Sequence, residues 1–340
     1  MKKITTIGLD LAKSVFQVHG IDAVGVVVVR RKLKRCEVLK YFGKLERCLV
    51  GMEACSSAHY WAREISALGH EVKLMAPIYV KAYVKRNKND PADAEAICEA
   101  VTRPSMRFVP VKSQEEQATL SVHRVREALV RQRTRLVNVL RSHLSEFGII
   151  APQGIAQVLK RFDELDEQTL PALATLSLSE LRGEIEAVDK RVRLLEKQIL
   201  VSHRANEMSR RLATIDGVGP MTASMITATV PDPLQFRSGR HFAAWIGLVP
   251  KQNSSGGKDR LGHISKMGNR DLRRLLVMCA ASRLRHKAKL VTGDGAWMQR
   301  LLERKPGKLA IVALANKMAR IVWALMVHGG VYHPNYAQKA

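Results

Sequence analysis

The first hundred residues alternate apolar and polar positions in short runs. "KKITTIGLDLA" reads as a strand ending at Asp10. "SVFQVHGID" and "VGVVVVRRKL" follow as two more strands, with residues 20–24 suited to a hairpin turn between them. The pattern then predicts a helix around residues 36–45, a strand "RCLVGME" ending at Glu53, a helix near residues 58–68, a strand "EVKLMAP", and short helices carrying Asp90 and Asp93. Beyond residue 110 the periodicity is helical. A long helix is expected over residues 113–147, opened by Ser113 and Glu116 as a capping box. In the next helix Leu181, Ile185, Val188, Val192, Leu195 and Ile199 are spaced 4, 3, 4, 3, 4, a heptad seam with Ser177 and Glu180 fitting a capping box at its start. The seam is expected to make an interchain coiled-coil contact. The alternatives are pairing with another long helix or packing on its own domain.

Three antiparallel strands followed by alternating helix and strand is the element order of an RNase H-like α/β fold. In that fold, carboxylates at the end of the first strand, at the end of the fourth strand and on a late helix meet at one edge. Those places hold Asp10, Glu53, and Asp90 with Asp93. Asp90 also suits a helix N-cap, with Pro91 in the first helical position and Asp93 and Glu95 in the first turn, where the helix dipole favours negative charge. The two readings coexist, because residues three apart share a helix face and a capping residue can also be a ligand. Clustered carboxylates repel unless cations neutralise them. An all-oxygen donor set suits Mg²⁺ or Mn²⁺, and two such ions about 3.5–4 Å apart serve phosphodiester chemistry.

Charge narrows the partner. The 340-residue chain has a net charge of +25, with 46% hydrophobic residues, enough for a packed core. Residues 1–110 carry 19 basic and 11 acidic side chains, residues 151–210 carry 9 and 10, and residues 211–340 carry 21 and 6. A basic excess at both ends points to nucleic acid, and the neutral middle to another task. No apolar run is expected to span a membrane, since residues 309–327 are interrupted by Asn316, Lys317 and Arg320. Five cysteines without a C-x-x-C pair argue against a disulfide framework and a zinc site, and for a reducing cytoplasm.

The basic C-terminal part holds a second constellation. "LATIDGVGPMTASMITA" resembles a helix-hairpin-helix, with Gly217 and Gly219 in a tight turn that could aim backbone N–H groups at a phosphate; an ordinary glycine turn is the alternative. "GLVPKQNSSGGKDRLGHISKMGNRDLRRLL" follows, with Ser254, Ser255, Lys258, Arg260, His263, Lys266, Arg270, Arg273 and Arg274. It is not a P-loop. Its glycines allow close backbone approach and its cations suit phosphates. A serine in such a setting can act as a nucleophile, though composition alone selects none, and a flexible basic loop is the other reading.

Together "GLDLAK", "GMEA", "DPADA", "GVGP", "FAAWIGLVPKQNSSGG" and "GHISKMGNRDLRR" resemble the DEDD transposases of bacterial insertion sequences of the 110 and 1111 type. The motifs occupy both ends of the chain in the family's order, with a helical insert between. The resemblance implies a RuvC-like domain over residues 1–110, long helices with a coiled-coil segment over 111–206, and a mainly α transposase domain over 207–340. It implies Asp10, Glu53, Asp90 and Asp93 as ligands of two Mg²⁺ or Mn²⁺ ions. It implies Ser255, which precedes the glycine pair, as the nucleophile, with Ser254 directly beside it. Gly217, Gly219, Lys258, Arg260, Lys266, Arg270, Arg273 and Arg274 would contact nucleic acid. Family members are similar in using a structured guide RNA that pairs with donor and target DNA, and a homo-oligomer, dimer or tetramer, is expected. The same acids could instead serve a Holliday-junction nuclease using water, or the fold could bind nucleic acid without chemistry. The site of action would be the bacterial cytoplasm, at the nucleoid.

Overall fold

The computed structural model describes residues 3–84, 89–166, 169–258, 260–285 and 294–333. The chain forms two compact units, Met1–Gln114 and Glu115–Ala340.

The first unit is a mixed sheet with helices. Its strands are β1 (Thr6–Leu11), β2 (Val15–Ile21), β3 (Val27–Lys34), β4 (Leu49–Glu53), β5 (Glu71–Met75) and β6 (Phe108–Val109), in the spatial order β3-β2-β1-β4-β5-β6. β1, β4 and β5 run parallel, and β2, β3 and β6 pair antiparallel with their neighbours. The helices are α1 (Val38–Phe42), α2 (Ala58–Ala67), α3 (Pro77–Val80) and α4 (Asp90–Val101). Alternation along the strands decides which helix covers which face. Ile7, Leu9, Phe16, Val18, Val50 and Met52 are buried in one cluster with Val38 and Phe42 of α1 and Trp61, Ala62 and Ile65 of α2. The intervening positions face α4. The turn after β2 begins later than the sequence suggests: Gly20 lies inside the strand, and Asp22 Oδ1 accepts the N–H groups of Val24 and Val26 at 3.1 and 2.9 Å. His70 is a buried strut, with Nδ1 3.3 Å from the Cys48 N–H and Nε2 3.0 Å from the Phe42 carbonyl.

The second unit is helical apart from one hairpin. It contains α5 (Gln114–Glu146), α6 (Ile155–Asp163), α7 (Ala172–Ala205), α8 (Glu207–Leu212), α9 (Pro220–Thr229) and α10 (Gly239–Ile246). The hairpin β7 (Pro250–Gln252) and β8 (Leu261–Ile264) leads to α11 (Arg270–Arg285), α12 (Asp294–Arg304) and α13 (Gly307–His328). The heptad seam is used within the chain. Ile185, Val188, Val192 and Ile199 are at most 1% exposed, and α7 runs antiparallel to α5 through Arg126–Glu196 and Arg133–Asp189 ion pairs. Val137, Leu140 and Leu144 of α5 share a core with Leu178 and Ile185 of α7. The expected interchain contact through this seam is therefore corrected: α5 occupies the role assigned to a second chain. Ser177 is no cap either. The helix starts at Ala172, and the Ser177 hydroxyl donates to the Ala174 carbonyl at 3.0 Å.

The 22 residues of α13 are long and apolar enough to cross a membrane by length and composition, which the interrupted run had not suggested. Their packing explains the composition: Ala310, Leu314, Ala315, Met318, Ala319 and Val322 are fully buried in one core with residues of α9, α10 and α11.

Candidate catalytic and nucleic-acid-binding sites

The acidic site starts with two glycines. Gly8 and Asp10 on β1, and Gly51 and Glu53 on β4, occupy alternate positions that point to the α4 side of the sheet. A Cβ on Gly8 would stand 2.1 Å from the Ala94 carbonyl oxygen and 2.4 Å from the Cys98 nitrogen of α4. A Cβ on Gly51 would stand 2.7 Å from the Val101 Cβ. The bare backbone at both positions lets α4 lie directly on the sheet, which brings its first turn to the end of β1. The repeated spacing, glycine two residues before an acid, is a signal visible in "GLD" and "GME" that the reading of the acids alone passed over.

Asn89, not Asp90, caps α4: its side chain accepts the Ala92 N–H at 2.9 Å. Asp90 is the first helical residue, with Pro91 behind it, so its carboxylate is released from capping. Asp10, Asp90 and Asp93 offer oxygens that all lie within 4.8 Å of one another. Glu53 stands outside this group of three, yet its charge reaches Asp10. Burial, followed by the charges of Asp93, Asp90 and Glu53, pushes the Asp10 pKa from 3.8 up to about 6. Mutually repelling, partly desolvated carboxylates gathered from separate segments are the environment a hard divalent cation relieves. The donor set thus fits Mg²⁺ or Mn²⁺ and offers nothing soft.

In the second unit the serine loop is a hairpin tip. Gly256 and Gly257 have φ of 56° and 75°, the pair of left-handed residues a two-residue hairpin turn needs, and Ser255 and Lys258 bridge across it. A Cβ on either glycine would meet nothing within 4 Å, so among the described residues the tip is open on that side. The two serines differ. Ser254 Oγ accepts the Arg260 backbone N–H at 3.2 Å and lies 3.2 Å from Gln252 Nε2, which fixes it in the hairpin. Ser255 is exposed, and among the described residues its hydroxyl has no partner. Lys258, Arg260, Lys266 and Arg270 are exposed near it in sequence.

The next two cations have internal work. Arg273 Nη1 donates to the carbonyls of Ile246 and Met267 at 2.8 and 3.0 Å, holding the segment after β8 against the end of α10. There Gly268 and Gly247 pass so closely that an added Cβ would stand 1.7 Å from the Trp245 carbonyl oxygen and 2.2 Å from that of Met267. Arg274 makes two bonds to Glu127, at 2.7 and 2.6 Å, which raise its pKa. These two arginines, read from sequence as contacts to nucleic acid, thus brace the unit internally. In the α8–α9 turn, Gly217 has φ 87° and an added Cβ would meet the Cys279 carbonyl at 2.9 Å, whereas Gly219 is open and precedes the N-terminus of α9. Gly217 therefore seats the turn on α11, and Gly219 leaves the helix end accessible.

An α/β unit with a carboxylate cluster, joined to a basic helical unit, has the architecture of an enzyme that acts on nucleic acid, and comparison defines the class as transposase. Residues 7–149 match a transposase family of the IS110 DEDD type, and residues 209–292 match the family described as Transposase IS116/IS110/IS902. Over 97% of its length the chain is 50% identical to a probable family 20 transposase of Pseudomonas aeruginosa, covering 99% of that protein. It is 39% identical to the transposase for insertion sequence element IS1328 of Yersinia enterocolitica, over 98% of this chain and 99% of that one. The transposase for IS1111A of Coxiella burnetii is also 39% identical, over 98% of this chain and 92% of that one. The chain belongs to the IS110/IS1111 family of insertion-sequence transposases, and it is a DNA transposase.

Proposed function

We propose that this transposase cuts and rejoins DNA by joint use of the carboxylate cluster and Ser255. On this reading the first unit is an RNase H-like, RuvC-like domain. Asp10, Glu53, Asp90 and Asp93 hold one or two Mg²⁺ or Mn²⁺ ions. Bound there, such ions supply Lewis-acid stabilisation of the oxygens that attack and leave a phosphodiester. The observation that carries this reading is the gathering of Asp10, Asp90 and Asp93 within 4.8 Å, with the Asp10 pKa pushed up by burial and then by its neighbours.

Ser255 Oγ forms the new bond to the DNA phosphorus, and the bond from phosphorus to one sugar oxygen breaks. The serine proton ends on the released sugar hydroxyl. In rejoining, a sugar hydroxyl attacks the phosphoserine and Ser255 regains its proton. Lys258, Arg260, Lys266 and Arg270 hold the phosphate, and Gly219 opens a helix end to the backbone. The open hairpin tip and the Ser255 hydroxyl, unpartnered among the described residues, support this role, whereas Ser254 is bonded into the turn. A structured guide RNA pairing with donor and target DNA, and a homo-oligomeric assembly, complete the proposal; the net charge of +25 suits two polyanionic partners.

The test is a denaturing gel of protein, guide RNA and labelled DNA with Mg²⁺. Wild type and Ser254→Ala should give a covalent protein–DNA adduct. Ser255→Ala should lose it, and Asp10→Asn or Asp93→Asn should lose it while retaining RNA binding. Cleaved DNA without any adduct would instead show a water-using nuclease.

A further inference from the structure

At the end of the sheet where Asp10 and Glu53 sit, but on the face covered by α2, lies a second basic feature. An open groove of about 860 Å³ is lined by Lys13 and Ser14 from the β1–β2 turn, Lys34, Arg35 and Cys36 at the end of β3, and Tyr60 and Trp61 of α2. Alternation places it there: Phe16 and Leu33 point to the α2 face, and Phe16 meets Trp61 edge-on with ring centroids 5.0 Å apart. We propose that this groove binds an unpaired nucleic-acid strand, with a base stacked on Tyr60 and the phosphates held by Lys13 and Arg35. The proposal rests on the family's action on DNA, and not on the metal or the serine nucleophile.

Three features favour an unpaired strand. The lining carries no carboxylate, and among the described residues neither Lys13 nor Arg35 makes an ion pair. Arg35 is already positioned: its guanidinium carbon lies 5.0 Å from the Trp61 ring centroid and 5.8 Å from that of Phe16. A cation held over an aromatic ring keeps its charge for a ligand while losing little freedom on binding. Tyr60 is 43% exposed beside these cations, and it meets the Trp61 ring edge-on at 5.2 Å. A fixed, half-exposed aromatic ring within a basic groove suits a base that is free to stack, which duplex bases are not. Trp61, which lines the groove, is 3% exposed, and its buried indole N–H has no partner among the described residues. On β3, the outermost strand, Arg31 lies on the same face as Leu33 and is exposed, with its guanidinium carbon 5.7 Å from the Tyr41 ring centroid. Unpaired DNA from an opened duplex and single-stranded RNA share this chemistry.

Cys36 supplies a local reporter, because it lines the groove and is exposed. The full-length protein in EDTA is titrated with a single-stranded DNA oligonucleotide, the matching RNA, and the DNA duplex, and Cys36 alkylation is followed by mass spectrometry. The single strands should slow Cys36 alkylation, and the duplex should do so only at much higher concentration. Tyr60→Ala should raise the half-protection concentration about tenfold, as expected for loss of one stacking contact. Tyr60→Phe should leave it unchanged. Lys13→Gln should flatten its salt dependence by about 0.7 in log–log slope. Both side chains are exposed, so the variants should melt like wild type. Stronger protection by DNA or by RNA identifies which strand the groove holds. Unchanged alkylation at saturating single strand overturns the proposal, as does equal protection by duplex or an unaltered titration of Tyr60→Ala. Because EDTA suppresses the chemistry, failure here leaves the adduct experiment untouched.

Discussion

At the scale of single residues, Asp10 concentrates the tension of the site. Its folded pKa of about 6 lies above the ordinary 3.8, so without a cation the native protein binds this proton more tightly than the unfolded chain does. Stability from this group is therefore full below about pH 4 and is lost as pH rises through about 6. Asp10→Asn removes a partly buried charge and its repulsion by Asp93, Asp90 and Glu53. In EDTA at pH 7.5 the variant should be more stable than wild type by about 1 kcal/mol, a figure reduced for solvent screening of a half-exposed group. At pH 4 the difference should disappear. Urea unfolding at the two pH values measures it, and Mg²⁺ should stabilise wild type more than the variant. Equal stability at pH 7.5 would mean that neither burial nor the neighbouring carboxylates penalise the charged Asp10. His123 shows the opposite sign: burial, then Arg126, lowers its pKa to about 4, and its ring nitrogen lies 3.1 Å from the Ser224 hydroxyl. Its contribution is complete above pH 6.5 and declines as pH falls toward 4.

Among elements, α4 and α7 show how a helix gets its place. The seat of α4 depends on having no side chain at Gly8, because the atoms in the way belong to the backbone of α4 and cannot swing aside. Gly8→Ala should destabilise the protein by about 1–3 kcal/mol, as overpacking does, and should also weaken Mg²⁺ binding, because lifting α4 separates Asp93 from Asp10. Thermal melting and isothermal titration read the two effects. For α7, Ile185 is fully buried while Leu194 is 58% exposed. Ile185→Ala should cost about 2–5 kcal/mol in urea unfolding, whereas Leu194→Ala should change it by less than about 0.5 kcal/mol. If Ile185→Ala changed only the mass in light scattering and not the melt, the seam would serve a second chain after all.

Over the whole molecule, the division into two units follows from where apolar side chains find partners. The core of β1, β2, β4, α1 and α2 and the cluster of α3 and α4 are built wholly from residues within 1–114. A fragment of residues 1–114 should therefore fold alone, with one cooperative melting transition, and keep a Mg²⁺-dependent rise in melting temperature. A fragment without a transition would show that its stability depends on the rest of the chain. The positive charge is distributed over both units, so each can face nucleic acid.

The order of strands and helices in the first unit was legible in sequence, because alternation of period two and the helical period mark local structure before any contact forms. The candidate acids were legible for the same reason: each stands at the end of an element that the pattern delimits. Motifs at both ends of the chain disclosed the family. What the sequence left open was how faces meet. A heptad seam says that a helix wants a partner, and only tertiary packing supplied α5 of the same chain. A basic stretch offers charge, and only the folded chain showed Arg273 held by carbonyls, Arg274 by Glu127 and Ser255 exposed at the hairpin tip. The glycines at 8 and 51 gave no sign of their purpose until α4 lay across them. Periodicity is a property of one element, whereas burial, pairing and pKa belong to several elements brought together, and only the three-dimensional arrangement decides those.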